Sequence, residues 1–221
     1  MDGGVEVTSM LLSRLHYPVR NLGYGVRVGI WFQGCTVYCR ACLSRDTWPF
    51  DEARRIEISS VVDWLDHLDG VVDGITISGG EPTDQPDALR SLLDALAPRR
   101  SGTDILLFSG RTSEQLERDL PWLWERVDLL ISDPFAADLS EDCALRGSTN
   151  QRVHRLSPLA EKRYPERSFE EMYKAQRQQI SIAVDDRSAW MVGIPRAGDL
   201  QRVHQRLTER GISVGRTSWL T

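Results

Sequence analysis

Val28-Gly29-Ile30-Trp31-Phe32, followed at once by Gln33-Gly34-Cys35-Thr36-Val37-Tyr38-Cys39-Arg40-Ala41-Cys42, is the stretch on which the rest of the chain turns. The first five residues are an uncharged, β-favouring run of the length of a strand buried on both faces. The loop behind it holds three of the chain's four cysteines, Cys35, Cys39 and Cys42, while Cys143 stands apart. An odd cluster of cysteines suits metal ligation better than a disulfide framework. Thiolates at this spacing can converge on one cubane iron-sulfur cluster, since its irons favour soft sulfur ligands. Three protein ligands leave one iron open to a small molecule; by spacing alone, a zinc site completed by a distant His or by Cys143 is the alternative.

Outward from this loop, short apolar runs alternate with amphipathic ones, the pattern of strand and helix units feeding a parallel sheet. Ile75-Thr76-Ile77-Ser78, Ile105-Leu106-Leu107-Phe108 and Val127-Asp128-Leu129-Leu130-Ile131 are the further strands expected. Between them, helices are expected over Ile58 to His67 with Ser59 or Ser60 as cap, from Asp84-Pro86 to Pro98, and from Thr112-Ser113 through Leu120. In such sheets the loops at the carboxyl ends of the strands make the site. One of these loops, Ser78-Gly79-Gly80-Glu81-Pro82, follows directly on a strand. Its two glycines let the backbone approach a ligand, and Glu81 offers an acceptor to an ammonium group; in isolation the same five residues also read as a plain turn.

After residue 156 a polar, proline-broken stretch reads as a linker over 157–179. Beyond it, Ile180 to Val184 and Trp190 to Ile194 read as a hairpin and Asp199 to Arg210 as a helix stopped by Gly211. The expected organisation is a core domain over 1–156, the linker, and a small α+β appendage over 180–221. Deleting 157–221 is then expected to leave cluster assembly intact.

The 221 residues suffice for one domain plus an appendage. A net charge of −5 argues against a chain built to coat nucleic acid, though it leaves room for a local basic patch. The longest uncharged stretch, Val28 to Cys39, is shorter than the roughly 20 apolar residues a membrane span needs. Met1-Asp2-Gly3-Gly4-Val5-Glu6 lacks the basic-then-apolar pattern of a signal peptide, so the expected compartment is the cytoplasm.

The cysteine loop after a first strand and the Gly-Gly-Glu-Pro loop after a second together resemble the radical S-adenosylmethionine superfamily. The resemblance implies an incomplete, TIM-like barrel of parallel strands with flanking helices. It also implies a 4Fe-4S cluster on Cys35, Cys39 and Cys42, with the amino and carboxylate groups of S-adenosylmethionine on the open iron. Ser78, Gly79, Gly80 and Glu81 would form the methionine loop. Ala41 stands where many members carry an aromatic residue, which leaves adenine packing to Leu43 or Trp48.

A closer resemblance is to the activating proteins of anaerobic ribonucleotide reductase, within the glycyl-radical activase group. It is carried by Arg27 to Cys35, Asp46-Thr47-Trp48, Phe108-Ser109-Gly110-Arg111-Thr112, Ser132-Asp133-Pro134-Phe135 and Arg146-Gly147-Ser148-Thr149-Asn150-Gln151. By that resemblance Ser109 bonds the ribose, Asp133 contacts the adenosyl or methionine moiety, Arg146 binds the ligand carboxylate, and Asn150 and Gln151 sit near the mouth of the site. The implied reaction is reductive cleavage of S-adenosylmethionine to a 5'-deoxyadenosyl radical. That radical takes a hydrogen atom from a glycine of a partner glycyl-radical enzyme, with flavodoxin or ferredoxin as electron donor. A radical enzyme acting on a small molecule or peptide, with the tail as lid or substrate contact, is the other expectation. Arg27 is expected to be solvated, and Cys143 to be a small buried hydrophobe.

Overall fold

A computed structural model describes residues 8–175, 180–184, 189–196, 198–212 and 217–218. Its elements in chain order are β1 (Ser9–Val19), β2 (Arg27–Phe32), β3 (Arg55–Glu57), α1 (Ile58–Asp66), β4 (Gly74–Gly79), α2 (Pro86–Leu96), β5 (Asp104–Phe108), α3 (Ser113–Asp119), β6 (Leu129–Ser132) and β7 (Arg152–Arg155), followed by α4 (Pro158–Arg163), α5 (Phe169–Ala175), β8 (Ile180–Val184), β9 (Ala189–Gly193) and α6 (Asp199–Glu209). The first seven strands form one sheet in the order β3-β1-β2-β4-β5-β6-β7, and β8 and β9 form a second. The four strands read from the sequence are β2, β4, β5 and β6, mutually parallel at the centre of the sheet. The antiparallel strands β1, β3 and β7, which flank the parallel set, are additions that the sequence pattern does not announce.

Alternation along the central strands assigns their two faces. Val28, Ile30, Phe32, Ile75, Ile77, Ile105 and Leu107 pack with Leu89, Leu92, Leu93 and Leu96 of α2, Val61 of α1 and Leu116 of α3, making the main apolar core. The helices begin where expected, with one change of cap. Thr112 and Gln115 form a reciprocal capping box for α3, whereas the N-cap of α1 is Glu57 and neither Ser59 nor Ser60 fills that role. Trp122 and Trp124 pack on the same core from a 3-10 turn after α3.

The opposite face carries a charge at its centre. Arg27 is fully buried, neither solvated nor available to a ligand, and pairs with the equally buried Asp104 at 2.8 Å. Its remaining donors reach Thr76 Oγ1 at 2.7 Å, Tyr24 O at 3.1 Å, Ile75 O at 2.9 Å and Tyr164 Oη at 3.0 Å. Tyr164 Oη in turn donates to Asp104 at 2.9 Å and accepts from Tyr24 N at 3.0 Å. Burial pushes that phenol well above its ordinary pKa, which keeps it a neutral donor to Asp104.

Tyr164 belongs to the stretch expected as a linker. Residues 158–163 and 169–175 are instead helices, and Ala160, Tyr164, Phe169 and Tyr173 are buried against Leu106, Leu129 and Ile131 of the central sheet. Apolar side chains at this spacing fill the sheet's second face, which a true linker would leave bare. Residues 176–179, the rest of the expected linker, lie outside those described. The hairpin and last helix occur where the sequence places them, as β8, β9 and α6. Val192 of β9 packs on Val19 and Leu22, with Trp31, Phe108, Trp190 and Ile194 around it.

The expectation that residues 157–221 are dispensable is therefore reversed: a chain ending at Leu156 should be recovered insoluble or unfolded, because three buried aromatic side chains leave the core with it. The point variant Tyr164→Phe, which strips one donor from buried Asp104, should lower the unfolding free energy by about 1–3 kcal/mol in a urea titration.

Candidate metal centre and cofactor cavity

At the carboxyl ends of β2 and β4 two loops are stitched together through their backbones. Gly80 N donates to Phe32 O at 2.9 Å and Glu81 N to Gly34 O at 2.8 Å. Gly79 has φ +118°, and a Cβ on Gly80 would overlap Gly34 O, so both positions demand glycine. The close approach that the paired glycines permit is first of all to the neighbouring strand and the start of the cysteine loop. That loop is closed on itself by Gly34 N to Thr47 O at 2.7 Å and Cys35 N to Trp48 O at 3.0 Å. Inside it, Tyr38 and Ala41 adopt positive φ of 51° and 61°, curling the backbone between the cysteines.

Side chains missing from the sequence reading hold the loop from outside. Asp84 accepts from Thr36 N at 2.6 Å and Thr36 Oγ1 at 2.9 Å, and pairs with Arg111 at 2.5 Å. Gln33 Nε2 donates to Pro49 O at 2.8 Å, and Gln85 Nε2 to Gln33 O at 2.8 Å. Asp84 was readable only as part of a helix start; its partner lies 48 residues away in sequence, a separation that no local pattern encodes.

Glu81 is buried and accepts four hydrogen bonds: from Thr83 N at 3.0 Å, Thr83 Oγ1 at 2.6 Å, Ser109 Oγ at 2.9 Å and Gly110 N at 2.6 Å. Its carboxyl group thus ties the loop after β4 to the loop after β5. Burial raises its pKa, while the four donors work the other way. Burial likewise pushes the thiols of Cys35 and Cys39 up, and at Cys39 the neighbouring Cys42 and Cys35 add to the rise.

These loops enclose a cavity of about 440 Å³ whose wall includes Cys35, Cys39, Cys42, Ser78, Gly79, Gly80, Glu81 and Ser109. Leu43 and Trp48 stand in the same wall, as does Gln151. Asp133 and Arg146 do not. The Asp133 carboxylate is turned to Arg152, at 2.7 and 2.9 Å, and to Ser132 Oγ at 2.7 Å. Arg146 pairs with Glu170 on α5 and donates to Gln151 O at 3.3 Å. Gln151 Oε1 accepts from Gly147 N at 2.8 Å within the Arg146–Gln151 segment, while Asn150 Nδ2 donates to Pro134 O at 2.8 Å and Gln151 Nε2 to Asp133 O at 3.1 Å, tying the segment to the loop after β6. Cys143, half-buried on a neighbouring turn, is absent from the wall.

The donor set fits an iron-sulfur cluster. Among the described residues no three His, Cys, Asp or Glu side chains lie close enough together to hold a single ion. A cubane spreads its soft thiolate ligands over separate corners, and the three cysteines stand along one cavity wall. Trp48 Nε1 is buried in that wall without a protein acceptor, an orphaned donor beside the space a cofactor would fill.

The chain belongs to the 4Fe-4S single cluster domain family, whose profile matches residues 21–154. It is of the radical S-adenosylmethionine type, with a 4Fe-4S cluster and S-adenosylmethionine as cofactors. It is similar to the anaerobic ribonucleoside-triphosphate reductase-activating protein of Enterobacteria phage T4, with 28% identity over 134 residues that cover 59% of this chain and 85% of that one. It is also similar to the pyruvate formate-lyase-activating enzyme of Staphylococcus aureus, with 28% identity over 155 residues, 65% of this chain and 61% of that enzyme. The solved structure of QueE from Escherichia coli aligns over 92% of each chain, with a TM-score of 0.42 and 15% identity.

Two substitutions test the loop architecture. Gly80→Ala should force the two loops apart at an overpacking cost of about 1–3 kcal/mol, seen in denaturant unfolding, with a matching fall in iron bound per chain. Asp84→Ala should leave the core intact, as judged by circular dichroism, and speed loss of iron to a chelator, because Thr36 and Arg111 lose their common anchor.

Proposed function

We propose that this protein is a glycyl-radical activase. Cys35, Cys39 and Cys42 hold three corners of the cluster, Ser78 to Glu81 and Ser109 hold S-adenosylmethionine, and Leu43 and Trp48 pack the adenine. The carrying observation is that all these residues, contributed by three separate loops, share one cavity wall. Bound there and reduced, such a cluster would supply the electron for reductive cleavage of S-adenosylmethionine, chemistry that in this reading would end in loss of a hydrogen atom from a glycine of a partner glycyl-radical enzyme. The chain itself positions and excludes water. Glu81 locks the β4 and β5 loops in register, the Gly79-Gly80 backbone presents its polar groups without a side chain in the way, and the buried Cys35 keeps one ligand out of solvent. Asp133 and Arg146 act one step back from the cavity, by holding the 133–151 loop through Arg152 and Glu170.

The central parallel strands form, in this reading, an incomplete barrel. A flavodoxin or ferredoxin supplies the electron and the compartment is the cytoplasm. No helix among the described residues is long and apolar enough to cross a membrane. A second reading, a radical enzyme modifying a small molecule or peptide, is favoured by one observation: Met191 to Arg196, Leu200 and Gln201 of the tail also line the cavity.

The test is anaerobic. Reconstituted protein given S-adenosylmethionine and reductant should yield 5'-deoxyadenosine, and with the source cell's anaerobic ribonucleotide reductase an electron paramagnetic resonance signal of a glycyl radical. Both should vanish in Cys35→Ala, Cys39→Ala and Cys42→Ala. Deoxyadenosine without a partner radical moves the assignment to the second reading; neither product from a cluster-loaded chain overturns both.

A further inference from the structure

Arg146, the cation expected at the carboxylate of the bound ligand, is turned to Glu170 and stands outside the cavity wall. Among the described residues that line the cavity there is one cationic side chain, Arg196, and one carboxyl side chain, Glu81. Arg196 follows β9, in the tail beyond the residues 21–154 that the family profile matches. A carboxylate drawn out of water needs a charged or hydrogen-bonding partner. Glu81 has the wrong sign for it and already accepts from Thr83, Ser109 and Gly110.

The Arg196 guanidinium already makes a contact of the required kind. Its Nε donates to Asp142 Oδ1 at 3.0 Å and its Nη2 lies 2.8 Å from Asp142 Oδ2, so a two-pronged fork faces both oxygens of a carboxylate. Asp142, on the loop after β6, is not part of the wall. The two side chains are 41% and 42% exposed, and an ion pair so open to water contributes little and exchanges readily. The backbone beneath is fixed: Arg196 N donates to Asp199 Oδ2 at 2.8 Å and Asp199 N to Arg196 O at 3.0 Å, at the start of α6. A pinned backbone under a loosely committed side chain lets the guanidinium change partner while the wall stays in place.

We propose that Arg196 receives the methionine carboxylate of S-adenosylmethionine, with Asp142 as the competing partner that it gives up. The proposal rests on S-adenosylmethionine as the ligand of this cavity and holds whichever substrate the radical acts on. It gives the tail a binding role in addition to its place in the wall. The rival account is a plain strap, in which the Arg196–Asp142 pair does no more than hold the tail to the loop after β6. The two accounts differ in sign at Asp142: removing a competitor tightens ligand binding, and removing half of a strap loosens it.

Equilibrium dialysis of labelled S-adenosylmethionine against the cluster-loaded full chain, kept anaerobic and without reductant, measures binding with no turnover. Arg196→Gln should weaken binding about tenfold, as expected for losing a charge-assisted contact, and should leave binding of decarboxylated S-adenosylmethionine unchanged. Arg196→Lys, which keeps the charge and loses the fork, should fall between the two. Asp142→Asn should tighten S-adenosylmethionine about twofold to fivefold and again leave the decarboxylated ligand unchanged. Iron bound per chain, read in the same samples, separates loss of this contact from loss of the site. Unchanged affinity in Arg196→Gln, an equal loss for the decarboxylated ligand, or weaker binding in Asp142→Asn would each overturn the proposal. Those results leave the radical-enzyme reading standing, because the unaltered chain still binds S-adenosylmethionine. An unaltered, cluster-loaded chain that binds none brings down both.

Discussion

The Arg27–Asp104 pair is the constraint around which one whole face of the sheet is arranged. Taking two charges out of water costs several kcal/mol per ion before any attraction is counted, so every donor and acceptor must be matched. The chain meets this with partners from β2, β4 and β5, from the Tyr24 turn and from Tyr164 at the end of α4. A satisfied buried network of this kind favours one arrangement of its members over all others. It binds the amino ends of three central strands to the start of the carboxyl-terminal third of the chain. The other ends of those strands are left for loops.

Those loops work as one body. Gly80 rests on Gly34, Glu81 reaches Ser109 and Gly110, and Asp84 reaches Thr36 and Arg111, so the three loops after β2, β4 and β5 are mutually bonded. The consequence for chemistry is preorganisation: ligand-bearing segments are held by neighbours that do not themselves depend on the ligand.

Much of this was legible in the sequence, for identifiable reasons. Central parallel strands are apolar on both faces, so β2, β4, β5 and β6 stand out as uninterrupted runs, and clustered cysteines and paired glycines are rare enough to mark the site. What escaped was of three kinds. β1 carries register shifts between Leu12 and Arg14 and between His16 and Val19, and each shift breaks the alternation by which a strand is recognised. β7, Arg152-Val153-His154-Arg155, is an edge strand with a polar sequence that reads as loop. Residues 157–175 look like a linker because prolines and charges dominate the composition, while four residues, Ala160, Tyr164, Phe169 and Tyr173, do the packing. Long-range pairings such as Asp84 with Thr36 leave no trace in local pattern at all.

The wall that Met191 to Gln201 contribute to the cofactor cavity has a consequence for the order of events in the cell. On a ribosome adding roughly 5–20 residues per second, the cysteine loop is finished on the order of ten seconds before Met191 is added. The wall is therefore completed by residues made well after the cysteines, so the cavity as a whole can form only once Met191 to Gln201 have been added.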